Sequence, residues 1–579
     1  MPRESFNLGY NMKEVHTFVL NLQEKIARSK RQGDIGKAYQ HADTLVNSEY
    51  AQTLAVYRVV TNKGHRSPVV LKTENLCTNK EYLEMVKKLD RIVKDPKNYR
   101  ATPLDRIYIP KKSGSNLRPL SIPSYTDRCL QALFHLAIEP ICEEDMDLSS
   151  YGFRPIRSTQ WAAGRVLNLL SNPLAKYSYV LEIDILGCYN NIDHTFLMKI
   201  TPFIPSNILY EWLKCGFLSR SDKLFYETED GVPQGGIISP LLLNITLDGL
   251  ERFLALKGKR MSSRLVRYAD DIVIFASSKE ECLQVKEYVN EFLSLRGLKI
   301  SEAKSKITHL NTQSFHFVGY SFSRVYRRNK KRPVARISIP LEARRSFQSK
   351  IRALRQRNLM LHSYINKANE IIRGWANYYC YTHDSIYIYR NLRYWLWKQY
   401  YGKCYKIVKN RYDKEGHEKI HERILKNYFS SYMNYSQWPS LHIKGKDFIL
   451  VDISTYKAIN PIYTNQAKNP YIFEDREKLE AYQLQMRKSF KDLVLKKFKN
   501  TCALCQRNYN LNESTIELHH RKPRRFGGSD RPNNLVPLCR EPCHISVSNA
   551  IISKDRMKIS EFRELGILDI PSDYLANNK

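Results

Sequence analysis

The sequence predicts a multidomain α+β chain: an antiparallel-sheet core, a helical region after it, and a small cysteine-bound unit at the end. Three observations carry this. Helix and strand signals alternate through residue 320, with short apolar strands such as SYVLEIDIL (178–186). An aromatic-rich helical stretch follows, with twelve Trp or Tyr residues between Trp375 and Tyr405. Four of the 12 cysteines then form two close pairs, Cys502/Cys505 and Cys539/Cys543, while eight are scattered singly from Cys77 to Cys404. A length of 579 residues suits several domains.

Composition narrows the function. Lys plus Arg number 93 and Asp plus Glu 58, so the net charge is 93 − 58 = +35. That charge exceeds what solubility needs, and nucleic acid is the expected partner. Hydrophobic residues at 42% and aromatics at 11% allow several cores and argue against a largely disordered chain. No apolar run approaches the roughly 18 residues of a membrane span, so no membrane partner is expected. The opening MPRESFNLGY has neither a signal-peptide nor a transit-peptide pattern. The expectation is an intracellular protein, made in the compartment where it works.

The elements follow in order. Residues 14–60 carry apolar residues at helical spacing, and RSPVVLKT (66–73) interrupts them. RIYIPKKSGSNLRPLSIP (106–123) reads as two short strands around a turn at Gly114. DRCLQALFHLAIE predicts a helix over 127–139, with Asp127 near its start. RLVRYADDIVIFA (264–276) predicts two short strands around a turn. The chain then becomes very basic from Arg324 to Arg332, and a last compact unit starts near Lys496. Residues 430–480 show no clear period.

The turn in 264–276 carries chemistry. Tyr268-Ala269-Asp270-Asp271 places two acids between apolar, β-forming residues. Burying such acids is costly without a counter-charge, and Mg²⁺ prefers carboxylate oxygens. Asp184 ends another apolar strand and can complete the set. Two Mg²⁺ ions held this way can activate a 3′-hydroxyl and stabilise leaving pyrophosphate.

The surrounding blocks sharpen this. LRPLSIPSYTDRCLQALFHLAIEPI (117–141), SYGFRPIRST (150–159), LEIDILGCYNNIDH (181–194), GVPQGGIISPLLLNITLD (231–248), RYADDIVIF (267–275), GLKISEAKSKITHL (297–310) and FHFVGYSF (315–322) stand in an order that closely resembles the reverse transcriptases encoded within group II introns. IIRGWANYY (371–379) resembles the thumb, or maturase, domain of the same family. The resemblance implies a right-hand polymerase with fingers and palm on an antiparallel sheet, followed by an α-helical thumb. It implies that Asp184, Asp270 and Asp271 hold two Mg²⁺ ions. Tyr189 matches the residue under the incoming sugar, where a ring obstructs a 2′-hydroxyl and favours dNTPs. Gln234 matches a residue lining the nucleotide pocket. Lys111 and Arg118 match fingers residues that hold the triphosphate, with Lys112 as the alternative to Lys111. The N-terminal segment and thumb would grip intron RNA. Most thumb aromatics are expected to pack a core, leaving the intervening charges for phosphate.

At the C-terminus, two cysteine pairs suit a tetrahedral structural Zn²⁺ site, which helps a small unit fold. Between and after them lie His519, His520, Asn534 and His544. This resembles the HNH endonuclease domain (a ββα-metal fold) that often ends group II intron proteins. The resemblance implies His520 as general base, His519 and His544 as ligands of one divalent ion, and Asn534 as the orienter of the catalytic loop. The chain departs from the pattern twice. Cys539 and Cys543 are separated by three residues rather than two, and Ser548 stands where a further His is common, with Asn549 beside it.

The resulting expectation is an intron-encoded protein with three activities: RNA-directed DNA polymerase, maturase, and DNA-nicking endonuclease. Together they give target-primed retrohoming. The alternative is a maturase-only splicing factor with decayed catalytic domains, which the intact aspartates oppose. Expected divisions are 1–80 (RNA-binding extension), 81–335 (fingers and palm), 336–430 (thumb), 431–496 (DNA-binding or linker region) and 497–579 (nuclease). Expected partners are group II intron RNA, double-stranded target DNA and dNTPs, in a bacterial cytoplasm or an organelle (mitochondrion or chloroplast).

Overall fold

The computed structural model describes residues 10–62, 76, 78–110, 117–171, 177–258, 264–325, 334–412, 414, 416–432, 435–443, 446–459, 469–480, 494–495, 498, 501–506, 516–523 and 534–570. The expected interruption at 66–73, the turn at Gly114, Lys111, Lys112 and most of the basic run after Arg324 lie outside them. The chain divides into two compact units. One comprises Met1–Val318, Ser323–Ala335 and Tyr463–Tyr482; the other comprises Gly319–Phe322, Arg336–Ile462 and Gln483–Lys579.

The first unit opens with helices α1 (Met12–Arg31), α2 (Ile35–Val46), α3 (Glu49–Thr61) and α4 (Asn79–Lys94). Each starts at a side-chain cap: Asn11, Asp34, Ser48 and Thr78. Such caps satisfy amides that the first turn leaves without partners. Strands β1 (Leu104–Pro110) and β2 (Leu117–Ile122) pair antiparallel, as the sequence predicts. Helix α5 (Tyr125–Asp145) runs longer than the predicted 127–139. It starts earlier because Ser124 caps it, and it continues through Pro140. Proline lacks the amide that would bond the Leu136 carbonyl. The side chain of Gln23 in α1 donates to that carbonyl instead, at 2.7 Å.

Next come α6 (Thr159–Ser171), β3 (Tyr179–Ile183), α7 (His194–Ile200), α8 (Ser206–Lys214), β4 (Phe217–Ser219), β5 (Phe225–Tyr226), α9 (Ser239–Thr246), α10 (Leu250–Lys257), β6 (Leu265–Tyr268), β7 (Asp271–Ala276), α11 (Lys279–Ser294), β8 (Lys306–His309) and β9 (Phe315–Phe317). They give two four-stranded sheets, ordered β2-β1-β4-β5 and β6-β7-β3-β8. The second is antiparallel throughout. One apolar core joins the N-terminal helices to this second sheet, from Val15 in α1 through Leu133 in α5 to Ile274 in β7.

Strands β10 (Tyr320–Val325) and β11 (Val334–Ser338) lead to the second unit's helices α12 (Leu341–Gln356), α13 (Leu361–Tyr379), α14 (Ser385–Arg411) and α15 (His417–Tyr428). Most aromatics here pack inward, as expected. Tyr364, Tyr389 and Tyr400 are buried, and the last two donate their hydroxyls to the carbonyls of Ala376 and Ser440. Tyr387 and Tyr394 are exceptions, at 70% and 62% exposed. Lys398 stands over the Tyr394 ring, 4.5 Å from its centre. Residues 430–480, without period in the sequence, divide between the units. A meander of β12 (Phe429–Tyr432), β13 (Tyr435–Ile443) and β14 (Lys446–Ile449) belongs to the second. Residues 469–480 belong to the first, where Arg28 and Arg31 of α1 pair with Glu474 and Asp475. The C-terminal part has a β15 (Ile516–His520)/β16 (Leu535–Cys539) hairpin, then α16 (Ile545–Ser553) and α17 (Arg556–Glu564).

Candidate active sites

Strand pairing brings the acids together. Ile183 opposes Ile272 in the β3–β7 ladder, so Asp184, just beyond β3, comes beside Asp271 at the start of β7. Tyr268 pairs with Asp271, leaving Ala269 and Asp270 as a two-residue turn. Ala269 has φ +57°, a left-handed conformation that costs energy without glycine. Asp271 reaches solvent, yet the protein packed around its carboxyl pushes it up to about 6, helped by the charges of Asp270 and Asp184. Asp270 is also pushed up, first by burial and then by Asp184, while Arg118 and Lys304 oppose the shift. Two carboxyls held above their ordinary range, with the charge of Asp184 beside them, are a fitting site for a divalent cation.

Asp184 is held from behind by the 301–305 turn. Its amide bonds Ser305 Oγ at 3.1 Å, and its carbonyl accepts from the Ser301 amide at 2.8 Å. Lys304 Nζ donates to Asp184 Oδ2 at 2.9 Å. Of the residues matched to nucleotide binding, Tyr189 and Arg118 lie within electrostatic reach of Asp270. Tyr189 lies in a short helical turn, half-buried, and its hydroxyl is pushed up by burial and by Asp270 while Arg118 opposes. Its carbonyl accepts from Val232 at 2.7 Å. The 231–236 loop therefore folds onto it, and a β-carbon on Gly231 would stand 2.6 Å from that oxygen. The Gln234 carbonyl accepts from Ser121 of β2 at 2.7 Å, so the loop also touches the strand that carries Arg118. Arg118 itself is exposed.

Beneath the turn lies a buried polar scaffold. Arg267, fully buried, donates to Asn244 Oδ1 at 3.1 Å and to the Ala269 carbonyl at 3.3 Å. Asn244 Nδ2 donates to the Gly152 carbonyl at 2.8 Å. Arg154 and Glu143, both buried, pair through two hydrogen bonds of 2.8 Å.

In the C-terminal part, Cys502, Cys505, Cys539 and Cys543 gather with all four sulfurs within 4.8 Å of one another. Among the described residues this is the one group of metal-ligating side chains so tightly converged. The three aspartates are not drawn together as closely. Burial and the neighbouring thiols push the Cys543 thiol up, a cost that a bound cation removes. The histidines stand beside this knot. His519 and His544 have ring centres 5.3 Å apart, and burial, then His544 and His520, pushes His519 down to about 4. A neutral imidazole is the metal-binding form. His520 is the last residue of β15. Asn534 binds the Lys522 backbone in both directions: its Oδ1 accepts from the amide at 2.8 Å, and its Nδ2 donates to the carbonyl at 3.0 Å.

The family "Reverse transcriptase (RNA-dependent DNA polymerase)" matches residues 109–322, and "N-terminal domain of reverse transcriptase" matches 9–89. "Group II intron, maturase-specific domain" matches 344–422, and "HNH endonuclease" matches 502–549. Protein YkfC of Escherichia coli is 33% identical over 302 residues, spanning 44% of this chain and 76% of its own. The chain belongs to the group II intron-encoded reverse transcriptase/maturase family. Group II intron-encoded protein LtrA of Lactococcus lactis is 32% identical over 303 residues, covering 41% of this chain and 49% of LtrA. A putative COX1/OXI3 intron 1 protein of Saccharomyces cerevisiae is 27% identical over 281 residues, covering 39% of this chain and 33% of its own. This chain thus spans about half the length of the LtrA relatives it matches.

In this family member the structure adds residues that spacing did not reveal. Lys304 stands 120 residues from its partner Asp184. Arg267, Asn244 and Gly152 come from three separate blocks. Glu517 meets His544, with Oε2 at 3.1 Å from Nδ1. A charged residue within a block already matched was the available signal for Lys304, and a place two residues before His519 was the signal for Glu517. Among the described residues, no helix is long and apolar enough to cross a membrane.

Proposed function

We propose that this protein is a multifunctional intron-encoded enzyme: an RNA-directed DNA polymerase, a maturase that binds its intron RNA, and an endonuclease that nicks target DNA to prime reverse transcription. The observation that carries the reading is the meeting of Asp184, Asp270 and Asp271 at paired strand ends, within electrostatic reach of Arg118. In this reading residues 81–335 are fingers and palm, 336–430 the thumb, 1–80 an RNA-binding extension, 431–496 a DNA-binding or linker region, and 497–579 the nuclease.

The aspartates hold two Mg²⁺ ions, which supply charge to the attacking and leaving oxygens. The chain does the rest. Arg118, with Lys111, grips the triphosphate, Arg through its fork of donors and Lys as a point charge. The Tyr189 ring fills the space of a 2′-hydroxyl and selects dNTPs. Gln234 lines the pocket, its position fixed by the bond from Ser121 to its carbonyl. Lys304 neutralises Asp184 before the ions arrive. Helix α14 carries seven Lys or Arg and no acid along its 27 residues, which suits it to a phosphate backbone.

In the nuclease, the four cysteines hold structural Zn²⁺, and His519 and His544 hold one divalent ion. His520 takes the proton from the attacking water. Asn534 fixes the loop after β15 through the Lys522 backbone. The relatives come from a bacterium and from a yeast intron, so a bacterial cytoplasm or an organelle is the proposed location.

The test is primer extension on an RNA template with purified protein, Mg²⁺ and dNTPs, beside an Asp270→Ala, Asp271→Ala control. Extension lost in the control supports the polymerase. Folded, RNA-bound protein without extension would favour the maturase-only alternative.

A further inference from the structure

The nuclease ion has two histidine ligands in the proposed function, and the pattern's third is missing. His544 immediately precedes α16, so residue 548 lies one helical turn further on the same face. Here that residue is Ser548, whose short neutral side chain is a poor substitute for imidazole.

A carboxylate approaches from the other side. Glu517 and His519 are two apart on β15, so both project from one face of the strand. Glu517 Oε2 lies 3.1 Å from His544 Nδ1. Two ligands at adjacent corners of an octahedral Mg²⁺ or Mn²⁺ site, each at about 2.1 Å from the ion, are separated by about 3 Å. The pair stands at hydrogen-bond distance, which is also the separation of two neighbouring ligands on one ion. An independent observation points the same way. His519 is 9% exposed, and its Nε2 is buried without a hydrogen-bond partner among the described residues. A buried polar atom left unsatisfied calls for a partner, and an ion between the two histidines would be one.

We propose that Glu517 is the third protein ligand of the nuclease's divalent ion, taking the role that Ser548 leaves open. This rests on the nuclease reading given above. It changes the chemistry of the site. Two imidazoles and one carboxylate carry a negative charge and a hard oxygen, which favours Mg²⁺ or Mn²⁺ more than three neutral imidazoles do.

The experiment is a Mn²⁺ titration of the zinc-loaded full chain, read by the electron paramagnetic resonance signal of free Mn²⁺. All proteins carry Asp270→Ala and Asp271→Ala, to remove the polymerase ions, and zinc content reports that the C-terminal fold is intact. The parent should bind one Mn²⁺. Glu517→Gln should weaken that binding at least tenfold, and adding Ser548→His should recover most of it. If Glu517→Gln binds like the parent while His544→Ala does not, the ion is held without Glu517; the proposal falls and the nuclease reading stands. If the parent itself binds no Mn²⁺, the nuclease reading fails, and this proposal with it.

Discussion

Gly152 lies against the peptide of Ala269, so closely that a β-carbon on Gly152 would stand 2.4 Å from the Ala269 nitrogen. This contact joins the SYGFRP block to the turn that carries Asp270. The Tyr151 amide also donates to the Arg267 carbonyl at 2.9 Å, and Arg267 donates to that of Ala269. The aspartate turn thus rests on backbone, with no space for a side chain. Gly152→Ala must push the turn outward, because both neighbours are main chain. We expect primer extension to fall at least tenfold, with a stability loss of about 1–3 kcal/mol and RNA binding retained. Extension at the parental rate would show that the turn tolerates the displacement.

Asp271 predicts a pH dependence. Its carboxyl is pushed up to about 6, so between the ordinary carboxylate range and pH 6 the folded protein keeps a proton that the unfolded chain has released. Folding stability from this group is therefore lost as pH rises through that window. Mg²⁺ competes with the same proton. Apparent Mg²⁺ affinity in primer extension should be flat above pH 7 and fall by up to about tenfold per pH unit below about 6. Mg²⁺ titrations between pH 5 and 8 measure this, and a flat affinity across the whole range would refute it.

The cysteine knot predicts separable metals. Cys502, Cys539 and Cys543 belong to the same buried cluster as Val536, Val547 and Phe562. Without a metal, the Cys543 thiol resists ionisation and the small core loses its tie. A strong chelator, followed by Mg²⁺ in excess, should abolish DNA nicking and the C-terminal unfolding transition while primer extension survives. Cys543→Ser should reproduce this. Nicking by a protein that metal analysis shows to be zinc-free would contradict it.

Much of this was legible because the signals are local. SYVLEIDIL and RYADDIVIF read as strands from alternation and apolar β-formers, and their acids stood out against them. The cysteine pairs declared themselves by spacing. What was not legible depends on partners far apart in sequence: Asn244 and Gly152 are separated by 92 residues, and Lys304 and Asp184 by 120. No period or spacing reports such pairings. Residues 469–480 illustrate the same limit. Tyr471 is held by Glu139, a partner 332 residues away, and nothing in its own neighbourhood announces that.

The helix α5 offers a test of how such a distant partner earns its place. Pro140 has no amide, so the Leu136 carbonyl, buried in the core, loses its helical donor. Gln23, itself 2% exposed, replaces that donor from 113 residues away. Gln23→Ala should therefore cost about 1–3 kcal/mol, the penalty for an unsatisfied buried carbonyl, plus some lost packing. If the carbonyl is the reason, the cost must depend on Pro140. Pro140→Ala restores the amide, and Gln23→Ala made in that background should then cost less by about 1 kcal/mol or more. Asn469 adds a complication that the design can absorb, because its side chain donates to the Pro140 carbonyl, which either residue retains. Denaturant unfolding of the four proteins gives the coupling directly. Additive costs would mean that Gln23 acts through packing alone, and that the helix passes its proline without help.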